Sequence, residues 1–136
     1  MTKWAASLVR ISNHEVETLQ KRLSEIVARR AAIEAEIAAL DGELEMELAH
    51  KQPFEEAGFY LAGYREGARI RRRTLLDQLG DIGIEEAGAR DALSEAFETL
   101  KKYEHVVDAA KAAAAKEALR LETAALDELG LRKASR

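Results

Sequence analysis

Residues 9–44 read VRISNHEVETLQKRLSEIVARRAAIEAEIAALDGEL. Within them Val9, Ser12, Val16, Leu19, Leu23, Ile26, Arg30, Ile33, Ile37, Leu40 and Leu44 recur at alternating steps of three and four. Only Ser12 and Arg30 in that row are polar. A strict 3,4 alternation is the period of a coiled-coil seam, narrower than the apolar stripe of a helix on a globular core. The fold therefore depends on where this seam finds its partner.

The partner lies downstream in the same chain. Leu75, Leu79, Ile82, Glu86, Ala89, Leu93, Ala96, Leu100, Tyr103, Val107, Ala110, Ala114, Glu117, Leu121 and Ala124 keep the same alternation. Gly80, Gly83 and Gly88 do not interrupt the frame. Each costs a helix about 1 kcal/mol against alanine, so bending is expected there. A break at Gly80–Gly83, with Asp81 as a cap, is the competing boundary. Exposed faces support helices as well: Glu17–Lys21, Glu25–Arg29, Glu98–Lys102 and Glu128–Arg132 are i, i+4 pairs with the acid first.

Between the seams stands HKQPFEEAGFYLAGYREG, residues 50–67, with the single proline, Pro53. Proline removes a helical donor and clashes with the preceding turn. The chain is expected to reverse within 52–67. Pairing of the acidic run Glu34, Glu36, Asp41, Glu43, Glu45 and Glu47 with Arg65, Arg69, Arg71, Arg72 and Arg73 favours a turn near Pro53. The glycines favour one nearer Gly63, and the later half is preferred. The expected architecture is all-α: a long two-helix antiparallel coiled-coil hairpin forming one domain over 1–136. Helix one covers about 3–51, helix two about 68–130, and a short basic tail follows.

Composition agrees. The chain has 136 residues, 34% charged, only 5% aromatic, with a net charge of −4. That mix favours long helices over a compact core. With no cysteine, disulfide and thiolate chemistry are excluded, which fits a reducing compartment. The opening MTKWAASLVRIS has too short an apolar run for a secretory signal and is expected simply to begin a helix. No apolar stretch reaches the length of a membrane span.

Catalytic signals are missing. His14, His50 and His105 share no metal-ligand spacing. Phosphate-binding glycine motifs and nucleophile–base arrangements are not found. A slender hairpin has no cavity in which to drive carboxyl pKa values apart. The expectation is a non-enzyme, with no catalytic residues, metal or cofactor.

Two clusters invite a partner. The Arg65–Arg73 cations either pair with the acidic run of the first helix or meet an acidic protein, with nucleic acid or lipid less favoured. Phe59, Tyr60 and Tyr64 gather beside the expected turn, where they serve either tip packing or an interface anchor. Trp4 stands near the termini, and Tyr103 falls on the seam. The segment from Asp108 is half alanine as far as Ala125. In a hairpin it lies beside or beyond the start of the first helix, where alanine keeps a helix stable without partners.

Four segments together, 10–26 (RISNHEVETLQKRLSEI), 57–72 (AGFYLAGYREGARIRR), 89–106 (ARDALSEAFETLKKYEHV) and 116–130 (KEALRLETAALDELG), resemble the alphaproteobacterial form of the flagellar export FliJ family. Glu122, Leu126, Asp127 and Glu128 are similar to that family's E-x-x-x-LDE segment. Pro53 departs from a smoothly helical first arm. The resemblance implies a cytoplasmic coiled coil, peripheral to the inner membrane through protein contacts only, and similar to the gamma stalk of rotary ATP synthases. Implied partners are the hexameric flagellar export ATPase, the export gate protein FlhA and substrate chaperones, with no nucleic acid. By exposure and position, Arg10, Lys101, Lys102, Arg120, Asp127, Glu128 and Arg132 are candidates for the ATPase side. Phe59, Tyr60, Tyr64 and Arg65 are candidates for the gate side. A structural scaffold of another assembly is the alternative.

Overall fold

The computed structural model describes residues 2–49 and 55–135. They form two helices, α1 (Thr2–Ala49) and α2 (Glu55–Ala134). The fold is an all-α helical hairpin, as the paired seams require. Four ion pairs between the helices fix the direction: Arg29–Glu85, Arg30–Glu86, Glu36–Arg71 and Asp41–Arg72. Arg29 and Arg30 meet Glu85 and Glu86, whereas Glu36 and Asp41, farther along α1, meet Arg71 and Arg72, earlier in α2, so the helices run antiparallel.

The second helix starts at Glu55, not near 68. Residues 58–67, included in the expected reversal within 52–67 whose later half near Gly63 is preferred, are helical instead. The physical reason is legible afterwards. Glu55 and Glu56 suit the positive end of a helix just past a proline. Glycine weakens a helix without forbidding it, and none of the described glycines takes a positive φ. Pro53 and His50 lie outside the described residues. So does the expected extension of helix one to residue 51. Gly80, Gly83 and Gly88 are passed without a break.

The chain divides into two units. One comprises Thr18–Leu93, the other Met1–Glu17 with Ser94–Arg136. In the first, Ile26, Ile82 and Ala89 form a buried cluster, with Leu23 and Ile33 against it. Ile26 and Leu75 are the largest fully buried side chains. In the second unit Ala5, Ser12, Val16, Ala96 and Leu100 are buried. On α2 the buried residues Ala68, Leu75, Ile82, Ala89 and Ala96 fall one heptad apart. Small residues at several of these positions let larger facing side chains fill the seam.

Every first-seam position, residues 9–44, is buried or half-buried. The second seam behaves the same way from Leu75 through Ala110, and then burial stops. Residues 111–135 are exposed throughout, although the helix continues to Ala134. Ala114, Glu117, Leu121 and Ala124 keep the seam's frame with nothing covering them.

Candidate partner-binding surfaces

Charge on the surface of the Thr18–Leu93 unit is mostly self-neutralised. Arg71 donates to Glu36 at 3.0 Å and Arg72 to Asp41 at 3.0 Å, both on the acidic run of α1. Arg69 pairs with Glu66 at 2.7 Å, and Arg73 with Asp77 at 3.6 Å. Of the arginine cluster, Arg71 and Arg72 thus meet the acidic run of α1 as expected, whereas Arg69 and Arg73 pair within α2. Arg65 is exposed and makes no ion pair among the described residues.

Near the start of α2, Phe59 is 87% exposed and Tyr60 is 66% exposed. The Tyr60 and Tyr64 rings stack at 6.4 Å, inclined by 27°. Tyr64 is half-buried, and its hydroxyl is pushed above its ordinary value by burial, then by the charges of Glu43 and Glu47. The carboxylates that raise it sit on α1, so Tyr64 faces that helix. Phe59 and Tyr60 do not pack into the seam. Met46, also of this unit, is 75% exposed.

The Met1–Glu17 and Ser94–Arg136 unit presents the other candidates. Arg10 is exposed and donates to Ser7 Oγ at 3.3 Å, and Ser7 donates to the Lys3 carbonyl at 2.9 Å. Ser7, Arg10, Ile11 and His14 line an open groove of about 430 Å³. Lys101 pairs with Glu104 at 3.2 Å, while Lys102 is exposed without an ion pair among the described residues. The Arg120 guanidinium grips Glu117 by two bonds, at 3.1 and 2.7 Å. That hydrogen bond lowers the Glu117 carboxyl against the opposing effect of desolvation. Arg132 pairs with Glu128 at 3.3 Å. Asp127 is exposed and lines a second open groove of about 430 Å³ with Lys116, Leu119, Arg120, Thr123 and Ala124. Of the four i, i+4 pairs read from sequence, only Glu128–Arg132 is seen as an ion pair. Arg29 reaches across to Glu85 instead.

Sequence reading did not place a set of leucines on the partner-facing surface, although it named Leu126 in the E-x-x-x-LDE segment. Leu119, Leu126 and Leu129 are 64%, 62% and 55% exposed, and Leu131 is 72% exposed. The available signal was the seam frame outrunning its partner: any apolar residue past Ala110 has no facing helix to cover it.

Among the described residues, no group of His, Cys, Asp or Glu is placed to hold a metal. No helix among them is long and apolar enough to cross a membrane. The grooves described here are open and shallow. The molecule thus belongs to the class of α-helical coiled-coil hairpins that present side chains along open helix faces.

Comparison with known proteins narrows the class. The chain is 58% identical over 135 residues to the Flagellar FliJ protein of Caulobacter vibrioides strain NA1000, covering 99% of this chain and 97% of the relative. The same protein from strain ATCC 19089 matches equally. At that identity and coverage the chain belongs to the FliJ family of flagellar proteins. No family model matches it. No solved structure matches it either.

Proposed function

We propose that this chain is a non-enzymatic coupling component of flagellar type III protein export that binds the hexameric export ATPase and the gate protein FlhA. The observation that carries the reading is the near full-length relationship to a flagellar FliJ protein. The uncovered helix of residues 111–134 supports it. A single helix with exposed leucines, cations and carboxylates is suited to contact the inner wall of a ring. In this reading Arg10, Lys101, Lys102, Arg120, Asp127, Glu128 and Arg132 serve the ATPase. Phe59, Tyr60, Tyr64 and Arg65 serve the gate, with exposed aromatics as anchors. The chain works in the cytoplasm, held at the inner membrane by protein contacts alone, and also contacts substrate chaperones.

The mechanism is allosteric. A helix that touches ring subunits unequally biases their conformations, because a ligand shifts an equilibrium only by its differential affinity for the two states. No bond is made or broken by this chain. The test is pull-down with the purified export ATPase, together with its hexamerisation measured by sedimentation. Capture and promoted assembly are expected. Neither capture nor any effect on assembly removes the reading.

A further inference from the structure

The seam of the Thr18–Leu93 unit carries a charged layer where an apolar one would fit. Arg30 of α1 and Glu86 of α2 occupy seam positions and are directly hydrogen-bonded. The other Glu86 oxygen accepts from Arg90 at 2.9 Å, and the Glu86 side chain is only 8% exposed. Arg29–Glu85 lies beside this layer at 2.6 Å. Arg30 Nε is buried without a hydrogen bond, 3.7 Å from Glu34. Apolar residues flank the layer: Ile26, Ile33, Ile82 and Ala89.

Such a layer is a poor source of stability, because Glu86 loses its water to make it and Arg30, 36% exposed, loses part of its own. Its effect on alignment is larger. A seam of repeating heptads can slide by one heptad and keep every residue facing the partner. Slid one way, Arg30 meets Leu93 and Glu86 meets Ile37. Slid the other way, Arg30 meets Leu79 and Glu86 meets Leu23. Either slide sets the buried Glu86 carboxylate against hydrocarbon without its arginine, which is severely unfavourable. The first slide also moves the reversal toward Gly63, where glycines 58, 63 and 67 make the start of α2 a weak helix. The rest of this unit's seam is mostly leucine and isoleucine, which exchange facing partners at little cost and oppose such a slide weakly.

We propose that the Arg30–Glu86–Arg90 cluster is a register lock that selects one antiparallel alignment of α1 and α2 over alignments displaced by a heptad. The lock acts through the penalty it imposes on the alternatives, not through its own contribution to stability.

The chain has no cysteine, so engineered pairs report alignment cleanly. Ile26→Cys with Ala89→Cys reports the observed register. Ile33→Cys with Ala89→Cys reports the displaced one. Dilute protein is oxidised, and intramolecular crosslinks are read on non-reducing gels. With the native cluster, only the first pair is expected to close. Adding Arg30→Leu and Glu86→Leu is expected to accelerate closure of the second pair about tenfold, with helicity retained by circular dichroism. The charge swap Arg30→Glu, Glu86→Arg and Arg90→Glu is expected to restore closure of the first pair alone. Exclusive closure of the first pair in the apolar variant overturns the lock. So does closure of the second pair in the charge swap at the apolar variant's rate.

Discussion

Ile26 and Glu86 stand in one seam and depend on opposite physics. Ile26 is 1% exposed in the central cluster. Ile26→Ala is expected to lower unfolding free energy by about 2–5 kcal/mol, measured by urea denaturation. Leu119→Ala, at an exposed position, is expected to change it by less than about 0.5 kcal/mol. Equal losses would mean the leucines past Ala110 are covered after all. Glu86 makes stability depend on pH. Its carboxyl lies below the ordinary 4.5, first through the Arg90 hydrogen bond, against burial, and then through the charges of Arg30 and Arg90. A carboxyl lowered on folding stabilises fully above the unfolded value, and that stability fades as pH falls through the folded value. Thermal unfolding from pH 6 to pH 3 is therefore expected to show a falling midpoint. The fall is shallower in the Arg30→Leu, Glu86→Leu variant. Glu66 and Glu117 are lowered as well, each by a neighbouring arginine, so some slope persists. An identical slope in both proteins would show that Glu86 is not responsible.

At the scale of the element, α2 carries an unusual number of glycines for a continuous helix. A Cβ added at Gly80 or Gly83 meets nothing within 4 Å. Both residues are helical and neither takes a positive φ. Gly80→Ala and Gly83→Ala are each expected to stabilise by up to about 1 kcal/mol, through helix propensity and a less free unfolded chain. The midpoint of urea unfolding checks this, and loss of stability would reveal a local distortion. These glycines were visible as a possible break because propensity is local. They failed to break the helix because the seam on either side keeps one frame, and side-chain packing outweighs about 1 kcal/mol per glycine. The start of α2 was misplaced for a related reason. Glycine count argued for the turn, while Pro53 and the paired Glu55 and Glu56 gave the better boundary signal.

For the whole chain, the two units show different degrees of cover. In Thr18–Leu93, charge and seam are largely satisfied by the chain itself. In the unit of Met1–Glu17 and Ser94–Arg136, residues 111–134 are helical with no covered face. Ala113 and Ala114 are in that stretch. Ala113→Leu with Ala114→Leu is expected to leave circular dichroism unchanged, since both residues favour helix. It is expected to weaken capture of the export ATPase, because a thicker helix fits a narrow ring less well. Undiminished capture would assign the alanines to helix propensity alone.

The sequence by itself determined the helices and the seam faces. A 3.5-residue apolar period admits one kind of partner, and every first-seam position is covered as the spacing requires. It also determined the family, through residues spread along almost the whole chain. Three features were decided only in the tertiary structure. One is that Arg71 and Arg72 are spent on Glu36 and Asp41. Another is that Arg29 prefers Glu85 across the seam. The third is the particular residue, Ala110, at which burial ends, since the sequence placed the loss of cover only roughly, from Asp108 onward. Each depends on which residue of α1 stands opposite which residue of α2. Periodicity is silent on that, because a heptad repeat looks the same after sliding by seven. Alignment requires a position that is not repeated, and in this chain the proposed lock of Arg30 with the buried Glu86 supplies it.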